Sequence, residues 1–203
     1  MTQVKICGLT RPEDIRCVNR LRPSYIGFIL NFEKSRRNLA PSEAAGLRRS
    51  LAPGIRAVGV MVDQPIDTAV ELAHKVGLDV IQLHGGEDDS YIAALRARAG
   101  VPVWKAFRVR TAADLDSARR SAADQVLLDN GYGTGETFLW DLADGFDRPF
   151  ILAGGLTPLN VADAIRQLKP SLVDVSSGVE TDGRKDPQKI AAFMDAVRKG
   201  DEL

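Results

Sequence analysis

Eight short apolar runs, most of them starting 20-odd residues apart, alternate with stretches of helical pattern. That alternation limits the fold of this chain more than any other feature. The runs cover residues 4–7, 25–30, 55–62, 80–83, 103–107, 125–129, 150–153 and 172–175. Apolar runs of this length, bounded by turn-forming residues, read as buried strands. Between them, Thr10 and Glu13 have the spacing of a capping box, with Pro12 in the first turn and Ile15, Val18 and Leu21 on one face. Residues 65–76 form an amphipathic segment stopped by Gly77, and 158–168 another, followed by Pro170. Segment 187–197 carries Ile190, Phe193, Met194 and Val197 at helical spacing, and 42–51, 89–99, 112–122 and the short 138–143 fit helices as well. Strands that alternate with helices make a parallel sheet. Eight such units without a linker predict an α/β fold with one domain over residues 1–203. The expected form is a closed (β/α)8 TIM barrel of eight parallel strands, rather than a doubly wound sheet of five or six.

Polar residues inside the strands divide their two faces. Side chains alternate with period two. Lys5 therefore shares a face with Cys7, Gln82 with His84, Lys105 with Phe107, Gln125 with Asp129, and Asp174 with Ser176. A barrel puts the more apolar face against the helices and the more polar one inside. Lys5, Lys105 and Asp174 are then buried charges that need partners, and Asp174 is expected to pair with one of the two lysines. The alternative is an edge strand with one wet face.

Composition excludes several classes of function. Lys+Arg and Asp+Glu both number 27, so there is no basic excess for nucleic acid. No run of about 18 apolar residues is present to span a membrane, and the first residues do not read as a signal peptide. The only cysteines, Cys7 and Cys17, are too few and too close for a disulfide framework, which points to a reducing compartment and a cytoplasmic protein. The last four residues read as a frayed polar end.

Reacting groups in such a barrel sit at the C-terminal ends of its strands. The segments FILAGG (150–155) and VDVSSG (173–178) each end in small residues, with helix-start pairs Thr157-Pro158 and Asp186-Pro187 further on. Gly154, Gly155 and Gly178 allow close backbone approach, which suits a phosphate in the loops after strands seven and eight. Two ordinary strand-to-helix turns would look the same. Cys7 ends strand one before a glycine and a helix start, where a thiol pKa can fall toward neutrality; it is otherwise a small buried hydrophobe. Asp129 ends strand six before a loop with Gly131, Gly133 and Gly135 that is able to close over a ligand; its alternatives are a helix cap or a structural acid. Cys7 and Asp129 could flank a substrate as base and acid. His84 ends strand four with no second ligand at metal spacing, so no metal site is expected, and packing or hydrogen bonding in the substrate pocket suits it better. Of the pair Arg36 and Arg37, an arginine in a loop at this face could hold a substrate carboxylate bidentately. No cofactor fingerprint is present.

These residues resemble one family. The motifs are Lys5-Ile6-Cys7-Gly8-Leu9-Thr10, Val58-Gly59-Val60, Ile81-Gln82-Leu83-His84-Gly85-Gly86-Glu87, Leu128-Asp129 with Gly133-Thr134-Gly135, Ala153-Gly154-Gly155-Leu156 with Asn160-Val161, and Asp174-Val175-Ser176-Ser177-Gly178-Val179-Glu180 with Lys185-Asp186. In this order, and with the Ser-Arg segment, they resemble the phosphoribosylanthranilate isomerases of tryptophan biosynthesis. The resemblance implies an Amadori rearrangement of a phosphorylated sugar-anthranilate substrate without metal or cofactor; the sequence itself is compatible with a monomer and with a homodimer. The resemblance also implies Cys7 as general base, Asp129 as general acid, Arg37 on the anthranilate carboxylate, and Gly154, Gly155, Ser177 and Gly178 on the phosphate. The family usually reads Ser-Pro-Arg where this chain has Ser35-Arg36-Arg37; Arg37 keeps the motif's arginine position. Alternative readings are another phosphosugar isomerase or epimerase barrel, or a barrel that binds a phosphosugar without catalysis.

Overall fold

A computed structural model of the protein describes residues 1–129, 143 and 145–202. All eight runs form strands: β1 Gln3–Cys7, β2 Tyr25–Leu30, β3 Arg56–Met61, β4 Val80–Leu83, β5 Val103–Arg108, β6 Gln125–Asp129, β7 Phe150–Ala153 and β8 Leu172–Val175. Each pairs in parallel with its neighbours in chain order. β1 pairs with both β2 and β8, in a register that sets Lys5 opposite Tyr25 on one side and Asp174 on the other, and this closes the barrel. Around it pack α1 Pro12–Leu21, α2 Pro41–Arg49, α3 Ile66–Val76, α4 Asp89–Ala99, α5 Ala112–Arg120, α6 Val161–Leu168 and α7 Pro187–Asp201. The loop at 130–135 and the helix expected at 138–143 lie, apart from Ala143, outside the described residues.

Two helix starts differ from expectation. At α1, the Asp14 carboxylate accepts hydrogen bonds from the backbone N–H of Thr10 and Arg11, while Glu13 pairs with Arg16 instead. Asp14 is buried and sits at the third helical position, where it reaches back to the orphan amides. α6 begins at Val161 rather than near Pro158. Thr157 donates its N–H to Asn160 Oδ1 and Asn160 donates from Nδ2 to the Gly155 carbonyl, so 157–160 is a side-chain-closed turn.

The barrel interior is layered. Tyr25, Val58, Val80, Trp104, Leu127, Ile151 and Leu172 fill its lower part as one buried cluster, with the Tyr25 and Trp104 rings edge to face at 4.9 Å. Burying each large apolar side chain stabilises by roughly 1.5–3 kcal/mol. This floor takes its members mostly from strand starts, which leaves the polar interior positions Cys7, Asp129 and Asp174 toward the C-terminal mouth, with Lys5 fully buried below Cys7. The outward positions, among them Ile6, Ile81, Leu83, Val126, Leu128, Val173 and Val175, pack under the helices.

Lys105 is the exception to the predicted faces. Trp104 occupies the interior from β5, so by strand alternation Lys105 points outward. It is buried there, donating to the Gly85 carbonyl and to Glu87 Oε2 at 2.9 Å. Glu87 in turn accepts from the N–H groups of Asp63 and Gly85. This network ties β5 to the loop that follows His84.

Candidate active site

A cavity of about 340 Å³ opens at the C-terminal end of the strands. Cys7, His84, Asp129, Gly154, Gly155, Ser177 and Gly178 all line it, together with Asp174 and Ser176. One sequence-expected residue, Arg37, is not among its lining residues. Among the described residues no three His, Cys, Asp or Glu side chains converge as a metal ion would need.

Cys7 is the last residue of β1 and Asp129 the last of β6, so the barrel itself aims both at the cavity. Ser176 Oγ donates to the Cys7 carbonyl at 3.1 Å, which fixes the end of β1 against β8. The helix-start argument for an acidic thiol does not hold in the fold. Burial pushes the Cys7 thiol up from its ordinary value; the Lys5 and Lys185 cations pull the other way without overcoming it, and Asp174 opposes them. Lys5 is fully buried and donates to Asp174 Oδ2 at 2.7 Å, the pairing expected from the strand faces. Burial alone would lower the Lys5 ammonium, but Asp174 and Cys7 outweigh it, so Lys5 stays charged. Asp174 Oδ1 is buried, belongs to a cavity-lining residue and has no hydrogen-bond partner among the described residues.

His84 lines the cavity and is exposed there. Desolvation, with Lys5 adding like charge, lowers it to about 4, so the ring is neutral at pH 7. The amide of Gln82, two residues earlier on the interior face, meets His84 Nε2.

The part of the cavity wall that follows β7 and β8 is built largely from backbone. Gly154 and Gly155 have φ of 86° and 67°, a region other residues avoid. A Cβ at Gly178 would lie 1.9 Å from the Leu156 carbonyl oxygen, so the two glycine turns touch only because Gly178 lacks a side chain. A single turn of 3-10 helix, Ser177–Val179, follows β8, and a small antiparallel pair, Glu180–Thr181 with Arg184–Lys185, follows that.

Arg37 stands at the rim with its guanidinium on a carboxylate of the protein itself. Nε and Nη2 donate to Glu180 Oε1 and Oε2, both at 2.7 Å. Arg36 and Lys185 reach the same carboxylate. Burial would raise Glu180, but the bonds from Arg37 and Lys185 outweigh it and hold it at about 2. Reasoning on single strand ends missed Glu180 and Lys185 as a unit, although both lie in the last quoted motif.

Comparison with known proteins decides among the phosphosugar barrels. The profile of the N-(5'-phosphoribosyl)anthranilate (PRA) isomerase family matches residues 4–196. The chain belongs to this family. It is an isomerase of tryptophan biosynthesis. The N-(5'-phosphoribosyl)anthranilate isomerase of Thermoanaerobacter sp. (strain X514) is 43% identical over 98% of both chains. That of Acetivibrio thermocellus is 43% identical, over 99% of this chain and 98% of its own. Among solved structures, a monomeric form of the dimeric isomerase from Thermotoga maritima superposes with a TM-score of 0.87 at 35% identity, covering 98% of this chain and 99% of that one. A family member in complex with reduced 1-(o-carboxyphenylamino)-1-deoxyribulose 5-phosphate gives a TM-score of 0.85 at 33% identity, with the same coverage. In this member of the family a cradle of glycine backbone lines the cavity, and a cationic rim around Arg37 stands beyond the lining residues, beside the end of β1.

Proposed function

We propose that this isomerase converts N-(5'-phosphoribosyl)anthranilate to 1-(2-carboxyphenylamino)-1-deoxyribulose 5-phosphate between Cys7 and Asp129. The Asp129 carboxyl gives a proton to the furanose ring oxygen as the C1–O bond opens, leaving an iminium between C1 and the anthranilate nitrogen. Cys7, as thiolate, then removes the proton from C2. The electron pair of that C–H bond forms the C1–C2 double bond and neutralises the iminium. The resulting enolamine takes a proton at C1 and loses the one on its C2 hydroxyl, giving the ketone. One acid and one base on opposite sides of the sugar suffice for this.

Gly154, Gly155, Ser177 and Gly178 hold the phosphate, and Arg37 the carboxylate. Two remote anchors fix the reacting carbon between acid and base, so binding energy goes into positioning. Neutral His84 is suited to share a hydrogen bond with a sugar hydroxyl without adding a charge to the cavity. Cys7 and Cys17 are free thiols, which suits a cytoplasmic enzyme.

The observation that carries this reading is that Cys7 and Asp129, from nearly opposite strands of the barrel, line one cavity that is also lined by Gly154, Gly155 and Gly178. Turnover of freshly prepared phosphoribosylanthranilate, followed by loss of its fluorescence, tests it. Cys7→Ser and Asp129→Asn should each lower kcat by about 10²–10⁴-fold, while a product analogue still binds. Their double variant should lose less than the product of the two. Near-normal kcat in Cys7→Ser would remove Cys7 from the mechanism.

A further inference from the structure

The cationic rim contains more charge than one anchoring arginine requires. Glu180 is the only carboxylate among the described residues paired with Arg36, Arg37 and Lys185. Its side chain is 5% exposed, that of Lys185 2% and that of Arg37 19%. Arg36, at 61%, is largely screened by water. Two sheltered cations thus share a single sheltered anion, and one positive charge there is left without a counter-charge. Such a place attracts an anion.

The geometry says which part of Arg37 is left for it. A guanidinium presents five N–H groups in a fixed plane. Glu180 occupies the Nε–Nη2 edge with both oxygens, and Lys185 Nζ holds Glu180 Oε1 from another direction at 2.7 Å. Lys185 is itself fixed by the Ser176 carbonyl at 2.9 Å. An anion so fully held does not leave to make room for a ligand. Arg37 Nη1 has no partner among the described residues. The stem of Arg37 crosses the residue after Cys7: a Cβ at Gly8, where φ is +77°, would lie 2.4 Å from Arg37 Cδ. The guanidinium is therefore held beside the end of β1, where the proposed base is.

We propose that Glu180 is a positioning residue for substrate recognition: it clamps Arg37 by one edge so that the other edge takes the anthranilate carboxylate. Lys185 keeps the clamp in place, and Ser176 connects it to the strand end that carries the base. This rests on the reading of Arg37 as the carboxylate anchor. The opposite possibility, that Glu180 is an internal competitor for Arg37, predicts the reverse sign.

Steady-state kinetics on the full-length enzyme separate these. Glu180→Gln should raise KM for phosphoribosylanthranilate about 10- to 100-fold, the loss expected when a charged, two-point hydrogen bond is broken. kcat should stay within about threefold, because acid and base are untouched. Kd for inorganic phosphate, measured by calorimetry, should not move. An unchanged KM would overturn the clamp, and a lowered KM would identify Glu180 as a competitor. Arg37→Ala checks the underlying reading separately. If it leaves KM unchanged, Arg37 is not the anchor; if it raises KM while Glu180→Gln does not, only the clamp fails. Should Glu180→Gln not fold, Arg37→Lys decides, because an ammonium lacks the two edges. Its KM should match that of Arg37→Ala, and a wild-type KM would overturn the proposal.

Discussion

Cys7 combines two demands that oppose each other. Its place at the end of β1 buries it, and burial disfavours the thiolate that the chemistry needs. Lys5 and Lys185 reduce this penalty without removing it. In the free enzyme, the thiol should therefore titrate above its ordinary value of 9.0. Alkylation by iodoacetamide, measured against pH, should show its midpoint there, and kcat/KM should rise with pH over the same range. A midpoint below the ordinary value would mean that the two lysines outweigh desolvation. The same residue shows the limit of reading a chain locally. A glycine and a helix start after Cys7 are visible in the sequence and argue for an acidic thiol. The thiol is closed in by the backbone of Gly27 on β2, and the charges that act on it include Asp174 and Lys185 from the other end of the chain, which no local spacing reveals.

At the scale of elements, the two glycine turns after β7 and β8 depend on each other. Gly178 lies against the Leu156 carbonyl so closely that a methyl group cannot be accommodated without moving one turn. Gly178→Ala should destabilise the protein by about 1–3 kcal/mol, as other overpacked sites do. It should also weaken binding of inorganic phosphate about 10-fold or more, the equivalent of roughly one lost hydrogen bond. Wild-type phosphate affinity in calorimetry would show that the glycine end is not the anion site. The eight strands and most helices were legible because apolar periodicity and turn residues are local signals. The face of Lys105 was not, since Trp104 and Lys105 offer the interior two large side chains and the floor built by Tyr25, Val58 and Leu127 selects the apolar one. The start of α6 was misplaced because Asn160 closes a turn with its own side chain. The last residues were expected to fray, yet α7 continues to Asp201, whose carboxylate accepts from the Thr2 amide and hydroxyl. The Arg37–Glu180 fork was likewise hidden, because its partners are separated by 143 residues.

For the whole molecule, closure of the barrel places the buried Lys5–Asp174 pair between its first and last strands. Removing one partner leaves a buried charge without compensation, so Lys5→Met should cost about 3–5 kcal/mol in urea unfolding. Lys5→Met combined with Asp174→Leu should recover much of that loss. If the double variant is no more stable than Lys5→Met alone, the pair is not what the stability depends on. The two partners are 169 residues apart in the chain. A ribosome releases β1 first and β8 last, so an emerging chain exposes the sheet edge of β1 until nearly all of the sequence has been made. The sheet can grow from β1 through β7 as an open, twisted ribbon, but Cys7 cannot meet Asp174 and Ser176 until the final strand arrives. A nascent chain stalled before residue 172 should therefore contain much of the sheet and no activity, with β1 free to pair with another chain.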